Sequence, residues 1–140
     1  MPDRLVLDAH AVLTLLEDEP GADALEQALS TGDPWMTLVN LGEVCYMIER
    51  RYGAVEADHV WQSLGSDEPA DGRVAIRWVP VDETLVRGAA RLKAAGGMSY
   101  ADCFTAAAAE LLGCPVLTGD REFVAAERAG IAVRWLHAAG

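Results

Sequence analysis

The feature of this 140-residue chain that most constrains its fold is an alternation of short apolar segments with longer segments of helical pattern. Five apolar segments read as strands: Arg4–Leu7, Trp35–Val39, Val74–Val79, Val116–Thr118 and Ala132–Leu136. Strands that alternate with helices are joined by crossover connections, which produce a parallel sheet covered by helices on both faces. We therefore predict one three-layer α/β/α domain over residues 1–140, with a central parallel sheet of about five strands.

Seven segments between and after these strands have the apolar spacing of helices. They are Ala9–Leu16, Ala22–Leu29, Leu41–Arg51, Val55–Leu64, Glu83–Ala95, Tyr100–Leu112 and Arg121–Ala129. Asn40, Asp82 and Ser99 are the predicted caps of the third, fifth and sixth of these helices, because short polar side chains favour helix starts. The polar stretch Ser66–Gly72 is the most loop-like part of the chain.

Composition excludes several classes of protein. Hydrophobic residues make up 51% of the chain, enough for a core without disulfides, and no apolar run reaches the roughly 20 residues that a membrane helix needs. No signal-peptide pattern precedes the first strand, and three cysteines without metal-ligand spacing suit a reducing compartment. We expect a soluble cytoplasmic protein with no membrane association.

The charge balance restricts how the chain could meet nucleic acid. The formal net charge is −11, so a broad basic face of the kind that dominates phosphate binding is excluded. A bound divalent cation would supply the missing positive charge. Lys93 is the only lysine, which argues against a P-loop or a Schiff-base mechanism.

Four carboxylates follow or adjoin the predicted strands. Asp8 and Asp120 come directly after the first and fourth strands, and Glu43 and Asp102 lie in the predicted first turns of two helices. Each one alone is typical of a helix start: Asp8 and Asp120 as caps, and the other two as parts of capping boxes. In an open α/β sheet, however, the carboxyl ends of the strands meet at one edge, which is where ligands bind.

Carboxylates gathered at such an edge would need a proton or a cation. Two carboxylates about 4 Å apart repel by about 4 kcal/mol at an effective dielectric near 20. Oxygen ligands select Mg²⁺ or Mn²⁺, and His10 is the only histidine nearby in sequence, so a zinc site is disfavoured. A metal held in this way can orient a phosphodiester and activate water, so that no protein nucleophile is required.

The order of these acids resembles the signature of PIN-domain nucleases, and the surrounding residues are most similar to VapC-like toxins of type II toxin–antitoxin systems. The segments that carry the resemblance are Val6–Ala9 (VLDA), Asp18–Ala22 (DEPGA), Val39–Val44 (VNLGEV), Ser99–Asp102 (SYAD) and Leu117–Phe123 (LTGDREF). They span essentially the whole chain in order.

The resemblance implies a Mg²⁺- or Mn²⁺-dependent endoribonuclease that cleaves RNA, forms a homodimer and assembles further with a small VapB-like antitoxin. It assigns Asp8, Glu43, Asp102 and Asp120 as catalytic metal ligands, with Asn40 and Thr118 as the supporting residues that orient them. Many relatives have a small hydroxyl residue where this chain has His10, so the chain departs from the family pattern at that position. The antitoxin would occupy a groove. Three apolar side chains on the two middle helices have two interpretations, as part of the core or as the lining of that groove: Tyr46, Met47 and Trp61.

Other interpretations of the acids and their neighbours are open. Arg121 is a candidate for a phosphate contact, and the simpler interpretation is a solvent-facing arginine. A phosphatase or phosphotransfer receiver is disfavoured, because Asp8–His10 lacks a second aspartate and no lysine follows a late strand. The main alternative function is a non-catalytic PIN-like module that binds RNA or protein and uses the acids as helix caps.

Overall fold

The structure of the protein, a computed structural model, describes residues 3–66 and 75–136. Five strands form one sheet in which every neighbouring pair is parallel, in the order β3-β2-β1-β4-β5. The strands are β1 Arg4–Leu7, β2 Asp33–Thr37, β3 Arg77–Val79, β4 Val116–Thr118 and β5 Val133–Trp135. The predicted parallel five-stranded sheet is therefore confirmed.

Seven α-helices accompany the sheet in the described ranges. They are α1 Ala9–Leu16, α2 Ala22–Thr31, α3 Leu38–Tyr52, α4 Ala54–Gly65, α5 Glu83–Ala95, α6 Tyr100–Leu112 and α7 Val124–Arg128. None of these helices is long and apolar enough to cross a membrane. Most of the predicted loop Ser66–Gly72 and the first residue of the predicted third strand, Val74, lie outside the described residues; β3 itself begins only at Arg77.

The predicted start of α3 is wrong by three residues. The strand ends at Thr37, whose hydroxyl accepts a hydrogen bond from the Asn40 backbone N–H at 3.2 Å and so caps the helix. Leu38 and Val39, predicted as strand because both are apolar, form the first helical turn instead. Asn40 is consequently a buried residue of that turn rather than the cap, and Glu43 lies in the second turn rather than the first.

The predicted helix Arg121–Ala129 is divided in two. Arg121–Phe123 forms a 3-10 turn, and the α-helix begins only at Val124. The Asp120 carboxylate accepts a hydrogen bond from the Glu122 backbone N–H at 3.0 Å, and the Phe123 N–H donates to the Asp120 carbonyl at 3.2 Å. These short-range bonds tighten the chain into a turn directly after Asp120.

The sheet separates two apolar layers. Alternate residues of the strands, such as Leu5 and Leu7, face a layer built with α1 to α4, whereas Val6 and Val116 face a layer built with α5, α6 and α7. Residues 106–109 of α6 are four buried alanines, whose small side chains allow this helix to lie close to the sheet. Helix α6 is thereby held at a fixed depth beside the strand ends.

The strand order reverses direction between β1 and β4, since β2 and β3 follow on one side of β1, and β4 and β5 on the other. The crevice at the carboxyl ends of such strands is the usual ligand site of an open α/β sheet. Asp8 follows β1 and Asp120 follows β4 at this crevice.

Candidate metal centre

Three carboxylates converge at the switch point of the sheet. Asp8, Asp102 and Asp120 each offer an oxygen, and these oxygens all lie within 4.8 Å of one another. Asp8 is fully buried, Asp102 is 5% exposed and Asp120 is half-buried. The residues that follow β1 and β4 and one in the first turn of α6 are thus brought together by the parallel topology, so three of the four acids that were predicted to converge do so.

Asp8 has both carboxylate oxygens engaged inside the protein. One oxygen accepts a hydrogen bond from the Ala11 N–H at 2.8 Å, which makes Asp8 the cap of α1, and the other accepts from the Thr118 hydroxyl. Burial raises the pKa of Asp8 to about 7, although these two hydrogen bonds lower it and the charges of Asp120 and Glu43 raise it further. The helix-cap interpretation of Asp8 is therefore correct, and it is compatible with a role in the site.

Thr118 connects two of the three carboxylates. Besides donating to Asp8, its hydroxyl oxygen accepts a hydrogen bond from the Asp120 backbone N–H at 2.9 Å. Because this side chain is fully buried in the last position of β4, it fixes the turn that carries Asp120 relative to the end of β1. This arrangement is what a residue that orients the acids requires.

Asp102 enters the group from the first turn of α6. The Ser99 hydroxyl caps this helix by accepting a hydrogen bond from the Asp102 N–H at 3.2 Å. Burial raises the pKa of Asp102 to about 8, and a hydrogen bond with Glu122 and the charge of Glu122 raise it too, with smaller contributions from Glu43 and Asp120. Burial and the neighbouring Glu122 carboxylate thus both favour the protonated form of Asp102.

Glu43 lies beside this group rather than in it. Its carboxylate is not among the oxygens that meet within 4.8 Å, but its charge raises the pKa of both Asp8 and Asp102. Burial raises the pKa of Glu43 as well. A hydrogen bond with the Asn40 side chain lowers it, and the charges of Asp120 and Glu122 raise it. One buried oxygen of Glu43, Oε1, has no hydrogen-bond partner, so it is free to take a proton or a ligand.

Asn40 joins the helix of Glu43 to the helix of Asp102. Its amide nitrogen donates to the carbonyl of Ala101 in α6 at 2.9 Å, and its amide oxygen accepts from the Thr37 hydroxyl. A fully buried amide with partners at both ends is held in a single orientation. Asn40 therefore fixes the distance between α3 and α6 at the level of the acids.

Glu122 is a fifth carboxylate that sequence reasoning did not select. It lies in the 3-10 turn after Asp120, is exposed, and accepts a hydrogen bond from the Ser99 backbone N–H at 3.0 Å. Its charge raises the pKa of both Asp102 and Glu43. The only sequence signal was its spacing of two residues from Asp120, which alone is not distinctive.

The geometry suits a hard divalent cation. The donors are carboxylate oxygens only, which select Mg²⁺ or Mn²⁺ over softer metals. Burial raises the pKa values of Asp8, Asp102 and Glu43, and the like charges of the neighbouring carboxylates raise them further. A divalent ion would remove that repulsion and could engage the unpartnered Glu43 oxygen. Asp8, Asp102 and Asp120, with Glu43 beside them, therefore fit a metal ion.

Two further residues from the sequence prediction lie near the site in the chain. Arg121 is an exposed residue of the 3-10 turn that follows Asp120. His10 lies in the first turn of α1, two residues after Asp8, and its Nδ1 is buried without a hydrogen-bond partner. His10 therefore gives no hydrogen-bond support to the acids through Nδ1.

Comparison with known proteins agrees with this fold. Residues 5–129 match the PIN domain, which places the chain in the PIN-domain family. A ribonuclease VapC from Mycolicibacterium smegmatis is 33% identical over 123 residues, covering 81% of this chain and 88% of that protein. Ribonuclease VapC30 from Mycobacterium tuberculosis is 28% identical over 134 residues, covering 92% of this chain and 99% of that protein.

Solved structures of the same fold come from toxin–antitoxin systems. DNA-bound VapBC from Salmonella typhimurium superposes with a TM-score of 0.69 at 17% identity, covering 98% of this chain and all of that one. VapC20 from Mycobacterium tuberculosis, a toxin that cleaves the sarcin–ricin loop, gives a TM-score of 0.67 at 17% identity, covering 91% and 96% of the two chains. At these identities the structural likeness concerns the fold.

Proposed function

We propose that the chain is a divalent-metal-dependent endoribonuclease, a single PIN-like domain over residues 1–140 that acts in the cytoplasm as the toxin of a toxin–antitoxin pair. The observation that carries this proposal is the buried group of Asp8, Asp102 and Asp120, whose oxygens lie within 4.8 Å of one another at the sheet's ligand-binding edge. Helix caps alone do not require three acids from three different elements to meet. The VapC ribonucleases to which the chain is similar support the choice of RNA as substrate.

In the proposed centre, Asp8, Asp102 and Asp120 hold Mg²⁺ or Mn²⁺, with Glu43 as the fourth carboxylate. The bound cation would neutralise phosphate charge and lower the pKa of water that attacks the phosphodiester. Glu43 Oε1, which has no hydrogen-bond partner, is the oxygen through which Glu43 would join the three aspartates at the cation. Thr118 and Asn40 keep the acids in place.

Substrate binding in this proposal depends on the cation. A chain of net charge −11 repels RNA, and the acids at the site add to that repulsion. The cation reverses the local charge, and the exposed Arg121, next to Asp120, is the side chain that we propose contacts a substrate phosphate. Both RNA binding and RNA cleavage should therefore require the metal.

The decisive experiment incubates purified, partner-free protein with a mixed RNA pool, with Mg²⁺, with Mn²⁺ and with a chelator. The Asp8→Asn and Asp120→Asn variants are run in parallel, with calorimetry for metal binding and circular dichroism for folding. Metal-dependent cleavage by the wild type and none by folded variants would establish the nuclease. Absence of metal binding by the wild type would refute it and favour the non-catalytic PIN-like module, with the acids as caps.

We also propose a homodimer that binds a small VapB-like antitoxin. Support comes from related folds solved as complexes, including a toxin–antitoxin complex from Klebsiella pneumoniae (TM-score 0.65, 14% identity). On this chain, Tyr46 of α3 is 51% exposed and Trp61 of α4 is 42% exposed, which leaves apolar surface for a partner helix.

The partner proposal is tested by co-purification with the product of the adjacent gene. A Tyr46→Ala, Trp61→Ala double variant should lose the partner, whereas Leu111→Ala, at an exposed apolar residue near the end of α6, should retain it. Equal retention by both variants would reject the surface. Sedimentation equilibrium of the free protein reports the dimer.

A further inference from the structure

Glu122 makes contacts that join the two chain segments bearing Asp102 and Asp120. Its carboxylate oxygen Oε1 accepts a hydrogen bond from the Ser99 backbone N–H at 3.0 Å, and its own backbone N–H donates to the Asp120 carboxylate at 3.0 Å. Ser99 is the residue whose hydroxyl caps α6 and binds the Asp102 N–H. One residue of the 3-10 turn is therefore bonded both to Asp120 and to the cap of the Asp102 helix.

We propose that Glu122 is a positioning residue, which clamps the start of α6 to the turn after β4 and so sets the spacing of Asp102 and Asp120. Its consequence for catalysis rests on the proposed nuclease function, whereas its consequence for metal binding and local order does not depend on RNA. The hydrogen bond between the Ser99 N–H and Glu122 joins residues 23 apart in sequence, so it is a tertiary contact rather than part of either local turn.

The loop before α6 has an unusual backbone and is held by two neighbouring helices. Gly96 and Gly97 both have positive φ, +87° and +95°, a conformation that glycine adopts at no steric cost. A side chain at Gly97 would meet the Cβ of Ala125 at 2.8 Å, so the loop is seated directly against α7. Lys93 Nζ donates to the Met98 carbonyl at 3.0 Å and holds the loop from α5.

Those contacts fix the loop against α5 and α7 but do not reach the acid-bearing turn. Among the described residues, the Glu122 side chain provides the hydrogen bond between the Ser99 backbone and that turn. The bond needs an acceptor, not a negative charge, since the donor is a neutral backbone N–H. A glutamine side chain would supply the same acceptor through its amide oxygen and would remove a like charge from beside Asp102.

This distinction between acceptor and charge defines the test. Three variants are compared with the wild type: Glu122→Ala, which removes the acceptor; Glu122→Gln, which keeps it; and Glu110→Ala, a control that removes an exposed carboxylate elsewhere on α6. Calorimetry gives the Mn²⁺ affinity, amide hydrogen exchange by NMR gives the protection of Ser99, and RNA cleavage gives kcat and KM. Circular dichroism establishes that each variant is folded.

We expect Glu122→Ala to weaken Mn²⁺ binding by about tenfold, the lower end of the range for residues that orient metal ligands, and to speed exchange of the Ser99 amide. Glu122→Gln should restore both, and Glu110→Ala should change neither. Equal losses in Glu122→Ala and Glu122→Gln would overturn the proposal in favour of a charge or a direct metal contact. Unchanged Ser99 exchange in Glu122→Ala would overturn it as well.

Failure of the nuclease proposal gives a different pattern. If the wild type cleaves no RNA, Mn²⁺ affinity and Ser99 exchange still report whether the clamp exists. If the wild type binds no Mn²⁺, the exchange of the Ser99 amide alone decides whether the clamp exists, because the bond between Glu122 and Ser99 is a property of the metal-free protein.

Discussion

Thr118 and Asp8 are 110 residues apart in sequence, yet the Thr118 hydroxyl donates a hydrogen bond to the Asp8 carboxylate in the interior of the protein. Both side chains are fully buried. The same hydroxyl accepts a hydrogen bond from the Asp120 N–H, so a single oxygen atom links the residues that follow two neighbouring parallel strands. The stability of the fold and the geometry of the candidate metal centre consequently depend on the same hydrogen bonds.

Replacing Thr118 with valine should separate shape from hydrogen bonding. Valine fills the same volume but leaves one Asp8 oxygen and the Asp120 N–H without their partner, a cost of about 1–3 kcal/mol in the free energy of unfolding. Urea denaturation of the metal-free protein measures it. Thr118→Ser keeps the hydroxyl and is the control. A valine variant as stable as the serine variant would show that the hydroxyl does not support the acids.

The stability of the metal-free protein should fall as the pH rises towards neutrality. The pKa of Asp8 is raised from 3.8 to about 7, so between these values the folded state binds more protons than the unfolded state. The derivative of the unfolding free energy with pH is then negative, so the stabilisation is complete below about pH 4 and is lost as the pH passes about 7. The pKa of Asp102, raised to about 8, acts in the same direction.

Asp8→Asn is the matched variant for this prediction, since asparagine is close in shape and does not titrate. Chemical denaturation between about pH 4 and pH 8 should show a smaller decline in stability for Asp8→Asn than for the wild type. The difference for one group with this pKa change is roughly 4 kcal/mol as an upper value. Parallel profiles for the two proteins would mean that Asp8 ionises normally.

Mn²⁺ should stabilise the protein more at about pH 8 than at about pH 5. The cation competes with protons for the carboxylates, whose pKa values are raised in its absence. Binding only to the folded state adds about 2.7 kcal/mol when the free ion is present at 100 times its Kd. Thermal unfolding with and without Mn²⁺ measures this gain, and Asp120→Asn should reduce it. A gain independent of pH would place the cation elsewhere.

Asn40→Ala should loosen α3 from α6 without disturbing the helix cap. The substitution removes the 2.9 Å bond to the Ala101 carbonyl and the bond that the Thr37 hydroxyl donates to the Asn40 amide oxygen, and it leaves the backbone N–H bond to Thr37 in place. A buried carbonyl left without its donor costs about 1–3 kcal/mol. Urea denaturation should show this loss, together with weaker Mn²⁺ binding. Gln62→Ala, at an exposed residue of α4, is the control, and a comparable loss there would deny Asn40 its specific role.

The convergence of Asp8, Asp102 and Asp120 was predictable because parallel strands deliver their carboxyl ends to one edge of the sheet. The start of α3 was not, because Leu38 and Val39 are apolar and extend the strand pattern, while the residue that ends the strand is Thr37, through a hydrogen bond to Asn40. The hydrophobic pattern of the sequence does not show that a capping hydrogen bond starts the helix before the apolar run ends.

The role of Glu122 was also beyond sequence reasoning. An exposed glutamate early in a helical segment is typical of solvent-facing surface. What distinguishes Glu122 is its bond to the Ser99 N–H, a tertiary contact that exists only once the loop before α6 is seated. Glu43 illustrates the same limit: its place in the order of acids was clear from sequence, but its position beside the group of three depends on how α3 packs.

Alanine substitutions at the two adjacent glycines before α6 should have unequal effects. Both positions have positive φ, so each substitution incurs backbone strain of about 1–3 kcal/mol. A Cβ at Gly96 meets open space, whereas a Cβ at Gly97 lies 2.8 Å from the Ala125 Cβ, so Gly97→Ala adds a steric clash with α7. Urea denaturation should therefore give a lower free energy of unfolding for Gly97→Ala than for Gly96→Ala. The Gly97→Ala, Ala125→Gly double variant should regain the stability lost to the clash but not the stability lost to backbone strain. A double-mutant cycle measures this coupling. If the double variant gains nothing, the loop is not seated against α7, and the spacing of Asp102 and Asp120 is set without it.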